Sequence, residues 1–274
     1  MESGTLTQRG GNLRRRVGQH GSFSMKTVDE ENFNSNQCTL LDGTFNPALP
    51  LMAGAWLPVR VVSFDLEGTL VDMTFSDMVW NEGLPRLYAL KAGLSFDKAK
   101  RIILSEYARV GENRVEWYDI CYWFRRLGLP GSPRDLISSY AGFVRLFPDA
   151  LTVLEKLSRK YRLIIVTNSN RLFVDVLAQP VINYFSHVFS TTSDFGLLKK
   201  NPEAYRKVCE AVDVIPSEIV HIGDRVQDDF KSPRRAGVNA YLLDRQNNRK
   251  SVPAEFRVES LREFANVLLK TETF

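Results

Sequence analysis

The sequence predicts an α/β fold in which a doubly wound parallel sheet carries an inserted, all-helical second domain. Residues 61–64 and 163–166 are almost continuous apolar runs, which is typical of strands buried on both faces of a parallel sheet. Helical patterns separate such runs, and strands that alternate with helices favour this class. Asp65 and Thr167 are also much further apart than the about 30 residues of a βαβ unit. The excess predicts an insertion.

The insertion, residues 73–147, is predicted to consist of helices. Ser95 and Ser132 stand where helix N-caps are expected, and Pro133 occupies a first turn. Glycine-containing turns such as Gly111 separate the helices. The predicted helices span residues 76–90, 95–110, 112–127 and a stretch that begins at 132.

The sheet resumes after the insertion, so its core is predicted to comprise residues 58–72 and 148–274. Short apolar runs predict the strands, and the segments between them predict helices. The further strands are residues 161–167, 187–190, 219–222 and 240–243. The helices are residues 148–159, 171–178, 202–212, one that ends near 236, and 259–269.

Residues 1–57 differ from the rest of the chain. Gly, Asn, Gln, Ser and Thr are frequent there, without apolar periodicity. Such a segment buries too little apolar surface to offset its chain entropy. We therefore predict a disordered or loosely ordered N-terminal extension.

Composition narrows the class of protein. The net charge of +4 over 274 residues is far from the dense basic stripe of a nucleic-acid-binding protein, and no apolar run has the length of a membrane span. Three widely spaced cysteines argue against a disulfide framework and for a reducing compartment. We predict a cytoplasmic protein that binds neither nucleic acid nor membrane.

Two carboxylates mark the end of the first predicted strand. Asp65 and Glu67 lie two residues apart, so both side chains can point into one crevice. Gly68 lets the backbone turn closely around an anion. Ligands of open α/β sheets bind at this edge, and burying acids there is unfavourable unless they have partners. The sequence therefore predicts a functional site at this strand.

Four segments, in order over residues 60–245, resemble the motifs of the haloacid dehalogenase-like superfamily. The first, Asp65-Leu66-Glu67-Gly68-Thr69, is similar to Asp-x-Asp-x-Thr, with Glu in place of the second Asp. The second is Thr167, which ends an apolar run and precedes Asn168. The third is Lys199 in a Gly-x-x-Lys-x-x-Pro context, and the fourth is Gly223-Asp224 with Asp229 five residues later.

The resemblance implies a Rossmann-like core with a helical cap, and a Mg²⁺-dependent phosphatase of a small phosphorylated metabolite. Asp65 would attack phosphorus as the nucleophile, and Lys199 would neutralise the phosphoryl group. Glu67 would act as general acid and base. The residues expected to bind substrate are Gly68, Thr69, Thr167 and Asn168, the first through its backbone amide.

The resemblance also implies the metal ligands. Asp65, Asp224 and the backbone carbonyl of Glu67 would supply oxygen ligands to Mg²⁺. Asp229 would lie behind them and orient Lys199 or a metal-bound water, with Asp228 as the alternative for this position. Arg125 or Arg126 of the insertion would reach a second anionic group of the substrate.

Two other functions stay open at this point. One is a hydrolase of carbon–halogen bonds in which Asp65 attacks carbon as the nucleophile. The expected metal ligand Asp224 and the expected phosphate-binding Asn168 argue against it, because halide displacement needs no divalent cation. The other is a non-catalytic binding module that kept the fold but lost turnover. The Glu at position 67, where the family motif has Asp, is the reason to consider it. His221, within a buried strand, is predicted to be a hydrogen-bonded core histidine.

Overall fold

The computed structural model describes residues 58–270, and our predictions for residues 1–57 lie outside that range. Six parallel strands form one sheet. They are β1 Val61–Phe64, β2 Arg162–Thr167, β3 His187–Ser190, β4 Ile219–Gly223, β5 Asn239–Leu243 and β6 Arg257–Val258. Their order is β3-β2-β1-β4-β5-β6, which confirms the doubly wound parallel sheet. The chain reverses its direction across the sheet between β1 and β4, where such folds place their ligands.

The strand register brings the predicted motifs to one edge. Phe64 of β1 pairs with Ile165 of β2 and with Ile222 of β4. Asp65 therefore emerges beside the ends of both neighbouring strands. β1 is fully buried and every residue of β4 is buried, as their apolar runs predict.

Helices cover the sheet and fill the insertion. Within the insertion the α-helices are Thr74–Met78, Leu84–Ala92, Phe96–Val110, Val115–Tyr118, Ile120–Leu127 and Pro133–Ser139. In the core they are Ala150–Ser158, Arg171–Leu177, Thr191–Asp194, Pro202–Ala211, Ser232–Arg235 and Leu261–Lys270. Val79–Gly83 and Val226–Lys231 are π-helical turns, and four short 3₁₀ turns complete the set: Ala141–Phe143, Ile182–Tyr184, Pro216–Glu218 and Ala254–Phe256. Among these described helices none has the length and apolarity needed to cross a membrane.

One helix prediction is wrong. Residues 112–127 were expected to form a single helix, but they form two, and the break falls at Asp119. The Asp119 side chain accepts a hydrogen bond from the backbone N–H of Cys121. This is an N-cap contact, so Asp119 starts a new helix where the aromatic pattern predicts continuity.

The two linkers of the insertion run side by side. The backbone N–H of Asp72 donates to the carbonyl of Arg145 at 2.9 Å, and that of Phe147 donates to the carbonyl of Leu70 at 3.0 Å. The chain thus leaves the sheet and returns to it at one place. The domain boundaries at 72/73 and 147/148 stay a prediction.

Aromatic side chains attach the insertion to the core. Trp80 stacks on Phe173 of the helix Arg171–Leu177 with ring centroids 5.1 Å apart, and Phe75 meets the same ring edge-on at 5.7 Å. All three side chains are buried. Burial of each contributes about 1.5–3 kcal/mol, so this cluster holds the insertion beside the loop that follows β2.

Candidate active site

Three carboxylates converge at the C-terminal edge of the sheet. Asp65 directly follows β1, Asp224 follows β4, and Asp229 lies in the π-helical turn after it. Each offers an oxygen atom within 4.8 Å of the others. Carboxylates come together in a protein interior when cations compensate them or when one of them binds a proton, so the group favours positive charge at its centre.

Lys199 provides part of that charge. Its ammonium contacts Asp65, lies 2.5 Å from Asp229 and donates to the Val166 carbonyl at 3.2 Å. The side chain is only 2% exposed. Its backbone is also held, since the N–H donates to Asn168 Oδ1 at 2.8 Å and the carbonyl accepts from Ser232. Lys199 is therefore fixed against Asp65, as the motif implied.

The electrostatics of this pair follow from burial and from the neighbouring charges. Burial opposes the charge on Lys199, but Asp229 and Asp65 together raise its pKa above the usual value. Burial raises the pKa of Asp65 well above its ordinary range, and Lys199 opposes that shift. Burial also opposes ionisation of Asp229, but Lys199 and His221 hold its pKa below the usual value. One ammonium thus leaves the group of three acids short of positive charge.

Asp229 and Asp228 take different roles because of the π-helical turn, which directs two consecutive acids to different partners. Asp229 contacts Lys199, accepts from the backbone N–H of Arg225 at 2.8 Å, and is fully buried. Asp228 instead accepts from Asn168 at 3.3 Å and pairs with Arg225 at 3.4 Å. Of the two acids that the sequence left open, it is Asp229 that contacts Lys199.

Asp224 has the features of an incomplete cation site. Its Oδ1 atom is buried without a hydrogen-bond partner, and burial followed by the charge of Asp229 raises its pKa to about 6. Gly68 adopts φ +82°, and a Cβ there would lie 2.6 Å from Asp224 Oδ2, so the glycine keeps this space open. Mg²⁺ prefers a few carboxylate and carbonyl oxygens. The residues present fit that ion.

One predicted contact of Gly68 differs from the structure. We expected its backbone amide to bind phosphate, but this N–H donates to the carbonyl of Val71 at 2.7 Å. The loop after β1 closes on itself and uses that donor. Gly68 therefore serves the site through the space it leaves beside Asp224.

Glu67 turns towards the insertion. Its carboxylate accepts hydrogen bonds from Ser76 of the helix Thr74–Met78 and from Ser169 of the loop after β2. Burial raises the pKa of Glu67, and these two hydroxyls partly oppose the rise. The longer side chain is accommodated because two serines from different segments hold its end.

The three predicted polar substrate ligands border the same crevice. Thr69 Oγ1 lies 3.5 Å from Asp65 Oδ2, and Thr167 Oγ1 accepts from the N–H of Ser169 at 3.2 Å. The Asn168 side chain accepts from Thr191 at 3.1 Å and from Lys199. Asn168 thus ties the second motif to the third and fourth.

Charged and polar groups of the insertion contact residues at the C-terminal edge of the sheet, next to the site. Glu112 pairs with Arg225 at 3.0 Å, Asp119 accepts from Asn170 at 3.3 Å, and Asn113 contacts Lys200. Tyr118 lies near Arg225 and Asp228, and burial raises its pKa to about 12. Arg125 and Arg126, which we expected to meet substrate, instead pair with Asp119 and Glu106 respectively.

Our sequence-based prediction of the site missed several groups that complete it. Ser76 and Ser169 hold Glu67, yet neither stands at a motif position that we used. Ser169 lies beside Thr167 and Asn168, so its place after β2 was a usable signal. Ser76 comes from the insertion, and Arg225 meets Glu112 across 113 residues; only folding brings such pairs together.

A parallel sheet whose C-terminal edge holds an aspartate, a buried lysine and two further acids defines a class of hydrolase. A family described as haloacid dehalogenase-like hydrolase matches residues 59–237, more than half of the chain. The chain belongs to this family, which confirms the resemblance.

Among the curated relatives, one is named a phosphatase and another a nucleotidase. A glyceraldehyde 3-phosphate phosphatase of Pyrococcus abyssi is 27% identical over 192 residues, 66% of this chain and 79% of that protein. The GMP/IMP nucleotidase YrfG of Escherichia coli is 24% identical over 172 residues, 62% of this chain and 76% of its own. The family match shows that this chain is a hydrolase, and these two relatives are named for reactions on phosphate compounds.

Two solved structures share the fold. A HAD phosphatase from Thermococcus onnurineus superposes with a TM-score of 0.67 at 26% identity, over 76% of this chain and 97% of its own. A 2-haloacid dehalogenase from Pseudomonas syringae gives 0.57 at 21% identity, over 77% and 99%. The second likeness concerns the fold alone.

Proposed function

We propose that this protein is a Mg²⁺-dependent phosphatase that hydrolyses a small phosphorylated metabolite through a phospho-Asp65 intermediate. The observation that carries the proposal concerns Asp224. Its side chain lies next to Asp65 and Asp229, and its buried Oδ1 atom has no hydrogen-bond partner. Relatives named as phosphatases favour a phosphate ester over a carbon–halogen bond. The reducing compartment predicted from the cysteines favours a cytoplasmic enzyme.

In the first half-reaction Asp65 attacks phosphorus. A carboxylate oxygen of Asp65 forms a bond to phosphorus while the bond from phosphorus to the ester oxygen breaks. The leaving oxygen takes a proton from Glu67, whose raised pKa favours the acid form. Lys199 stabilises the charge that develops on the transferred group and holds the other Asp65 oxygen.

In the second half-reaction the Glu67 carboxylate takes a proton from water. The water oxygen bonds to phosphorus and the bond from phosphorus to Asp65 breaks, which releases phosphate and restores both acids. Asp65, Asp224 and the Glu67 carbonyl would hold Mg²⁺, which supplies charge neutralisation to the phosphate oxygens when bound. Asp229 would hold Lys199 in place behind them.

The test is phosphate release from an aryl phosphate and from a metabolite panel that includes glyceraldehyde 3-phosphate, GMP and IMP. Each is measured with Mg²⁺ and with EDTA, and Asp65→Asn serves as the matched variant. We expect metal-dependent release that Asp65→Asn abolishes without a change in fold. Chloride release from haloacids without metal would establish the dehalogenase instead, and no turnover of any of these would support the binding module.

A further inference from the structure

The histidine at the middle of β4 links the interior of the sheet to the candidate site. His221 is fully buried. Its Nδ1 atom lies 2.8 Å from Ser63 Oγ, and its Nε2 atom lies 3.1 Å from Asp229 Oδ1 and 3.1 Å from the Tyr205 hydroxyl. Both ring nitrogens therefore have partners, which confirms a hydrogen-bonded core histidine but leaves open what the bonds do.

The partners determine which nitrogen carries the proton. Asp229 is ionised beside Lys199 and can only accept. The Tyr205 hydroxyl donates to the Asp228 carbonyl at 2.7 Å, so its oxygen is free to accept from the ring. Nε2 must then be the donor. Burial lowers the pKa of His221 and so favours the neutral ring, in which Nδ1 accepts from the Ser63 hydroxyl.

The chain of contacts leads from His221 to the nucleophile. His221 donates to Asp229, Asp229 holds the Lys199 ammonium, and Lys199 contacts Asp65. The backbone N–H of Arg225 takes the other oxygen of Asp229, so the carboxylate is held on both sides. A Cβ at Gly223 would lie 2.3 Å from Asp229 Cγ, which shows how closely the acid is packed against β4.

We propose that His221 is a positioning residue for hydrolysis: with its proton on Nε2, it fixes the Asp229 carboxylate so that Asp229 keeps Lys199 against Asp65. Hydrogen bonds behind catalytic carboxylates restrict their orientation in this way. The role rests on the proposed function, because it acts through Lys199 and Asp65.

The kinetic test compares His221→Gln with His221→Leu. Gln places an amide N–H where Nε2 stands, whereas Leu fills the space without a donor. We expect Leu to lower kcat by about 10- to 100-fold with KM nearly unchanged, and Gln to recover most of the loss. The control is His187→Gln, since His187 is exposed on β3 and stacks on Phe189. Equal losses in Gln and Leu, or wild-type kcat in Leu, would overturn the proposal.

A second measurement does not depend on turnover. Long-range ¹H–¹⁵N spectra of the full-length protein distinguish protonated from unprotonated ring nitrogens, and loss of a signal set in His221→Gln assigns it among three histidines. We expect protonated Nε2 and bare Nδ1. A proton on Nδ1 would overturn the proposal even if the enzyme is active. If the wild type hydrolyses no phosphate ester, the proposed function fails while this spectrum still decides the hydrogen bond.

Discussion

The guanidinium of Arg225 lies 3.0 Å from the carboxylate of Glu112, so an ion pair joins the residue after Asp224 to the inserted helical segment. The two side chains are 37% and 45% exposed. Ion pairs of that exposure contribute about 0–1 kcal/mol. The contact can therefore favour a closed arrangement over the site without preventing substrate from reaching it.

Glu112→Gln tests this pair. We expect KM to rise by at most about fivefold, which corresponds to about 1 kcal/mol, while kcat changes little. Added salt should then affect KM less than in the wild type, because the pair that salt screens is gone. Steady-state kinetics at two ionic strengths measure this. Glu116→Gln is the matched control, since Glu116 pairs with Arg114 inside the insertion; equal effects of both variants would contradict the prediction.

Removing the Lys199 ammonium should lower the free energy of unfolding of the protein as well as stop turnover. Lys199→Met leaves Asp65 and Asp229 buried without their ammonium, and breaking a buried pair in this way costs about 3–5 kcal/mol. The free energy of unfolding in urea, measured with EDTA present, checks the value. Lys200→Met is the control, because Lys200 is partly exposed and should change stability by less than about 1 kcal/mol.

A double variant separates stability from catalysis. Asp229→Asn added to Lys199→Met removes one of the stranded charges, so part of the lost unfolding free energy should return while turnover stays absent. Restored turnover would show that Lys199 has no catalytic part.

Asp224 predicts a pH dependence of stability in the absence of metal. Its pKa is about 6 in the fold against 3.8 as the reference value, so the folded state binds the proton more tightly than the unfolded state. The stability that this tighter proton binding adds to the folded state is fully present below about pH 4, and it is lost as the pH rises through 6. In EDTA, we expect the thermal midpoint to fall over that window, and to fall less in Asp224→Asn.

Mg²⁺ should reverse this loss. An ionised Asp224 binds a cation and a protonated one does not, so the gain in thermal midpoint with Mg²⁺ should be larger at pH 7 than at pH 5. Asp224→Asn should lose most of that gain. An equal gain at both pH values, or in the variant, would contradict Asp224 as a ligand.

Glu67→Gln keeps the shape that Ser76 and Ser169 hold, but it cannot transfer a proton. We expect turnover of alkyl phosphates to fall by about 10²- to 10⁴-fold, with an unchanged thermal midpoint. Aryl phosphates should lose least if their leaving group needs no proton, unless hydrolysis of the intermediate limits the rate. Wild-type rates on both substrates would leave Glu67 with a structural role only.

The inner strands were predictable because burial on both faces leaves a clear apolar run. The edge strand His187–Ser190, whose first residue is exposed, also has the predicted bounds. β6 was missed because two residues, Arg257 and Val258, carry no periodic signal. The helix break at Asp119 was missed because a local cap outweighed the aromatic pattern.

At the candidate site, sequence order was enough to gather Asp65, Lys199, Asp224 and Asp229 at one edge, because parallel strands end together. It could not show that Glu67 would be held by Ser76 from the insertion. Nor could it show that the Gly68 amide is already used within its loop. Residue types alone do not reveal contacts between segments that are far apart in the chain. Nor do they reveal which backbone N–H groups already donate within their own loop.

The paired linkers around Leu70 and Phe147 have a consequence for how such a protein diversifies. Since the chain departs and returns between two hydrogen-bonded neighbours, the insertion can lengthen, shorten or be exchanged without moving a strand. The strands that lead to Asp65 and Asp224 are insulated from those changes, but the contacts from Ser76 to Glu67 and from Glu112 to Arg225 are not. Under the proposed function, an insertion that keeps those two contacts can change to suit a different substrate, while the acids and the lysine at the strand ends are inherited unchanged.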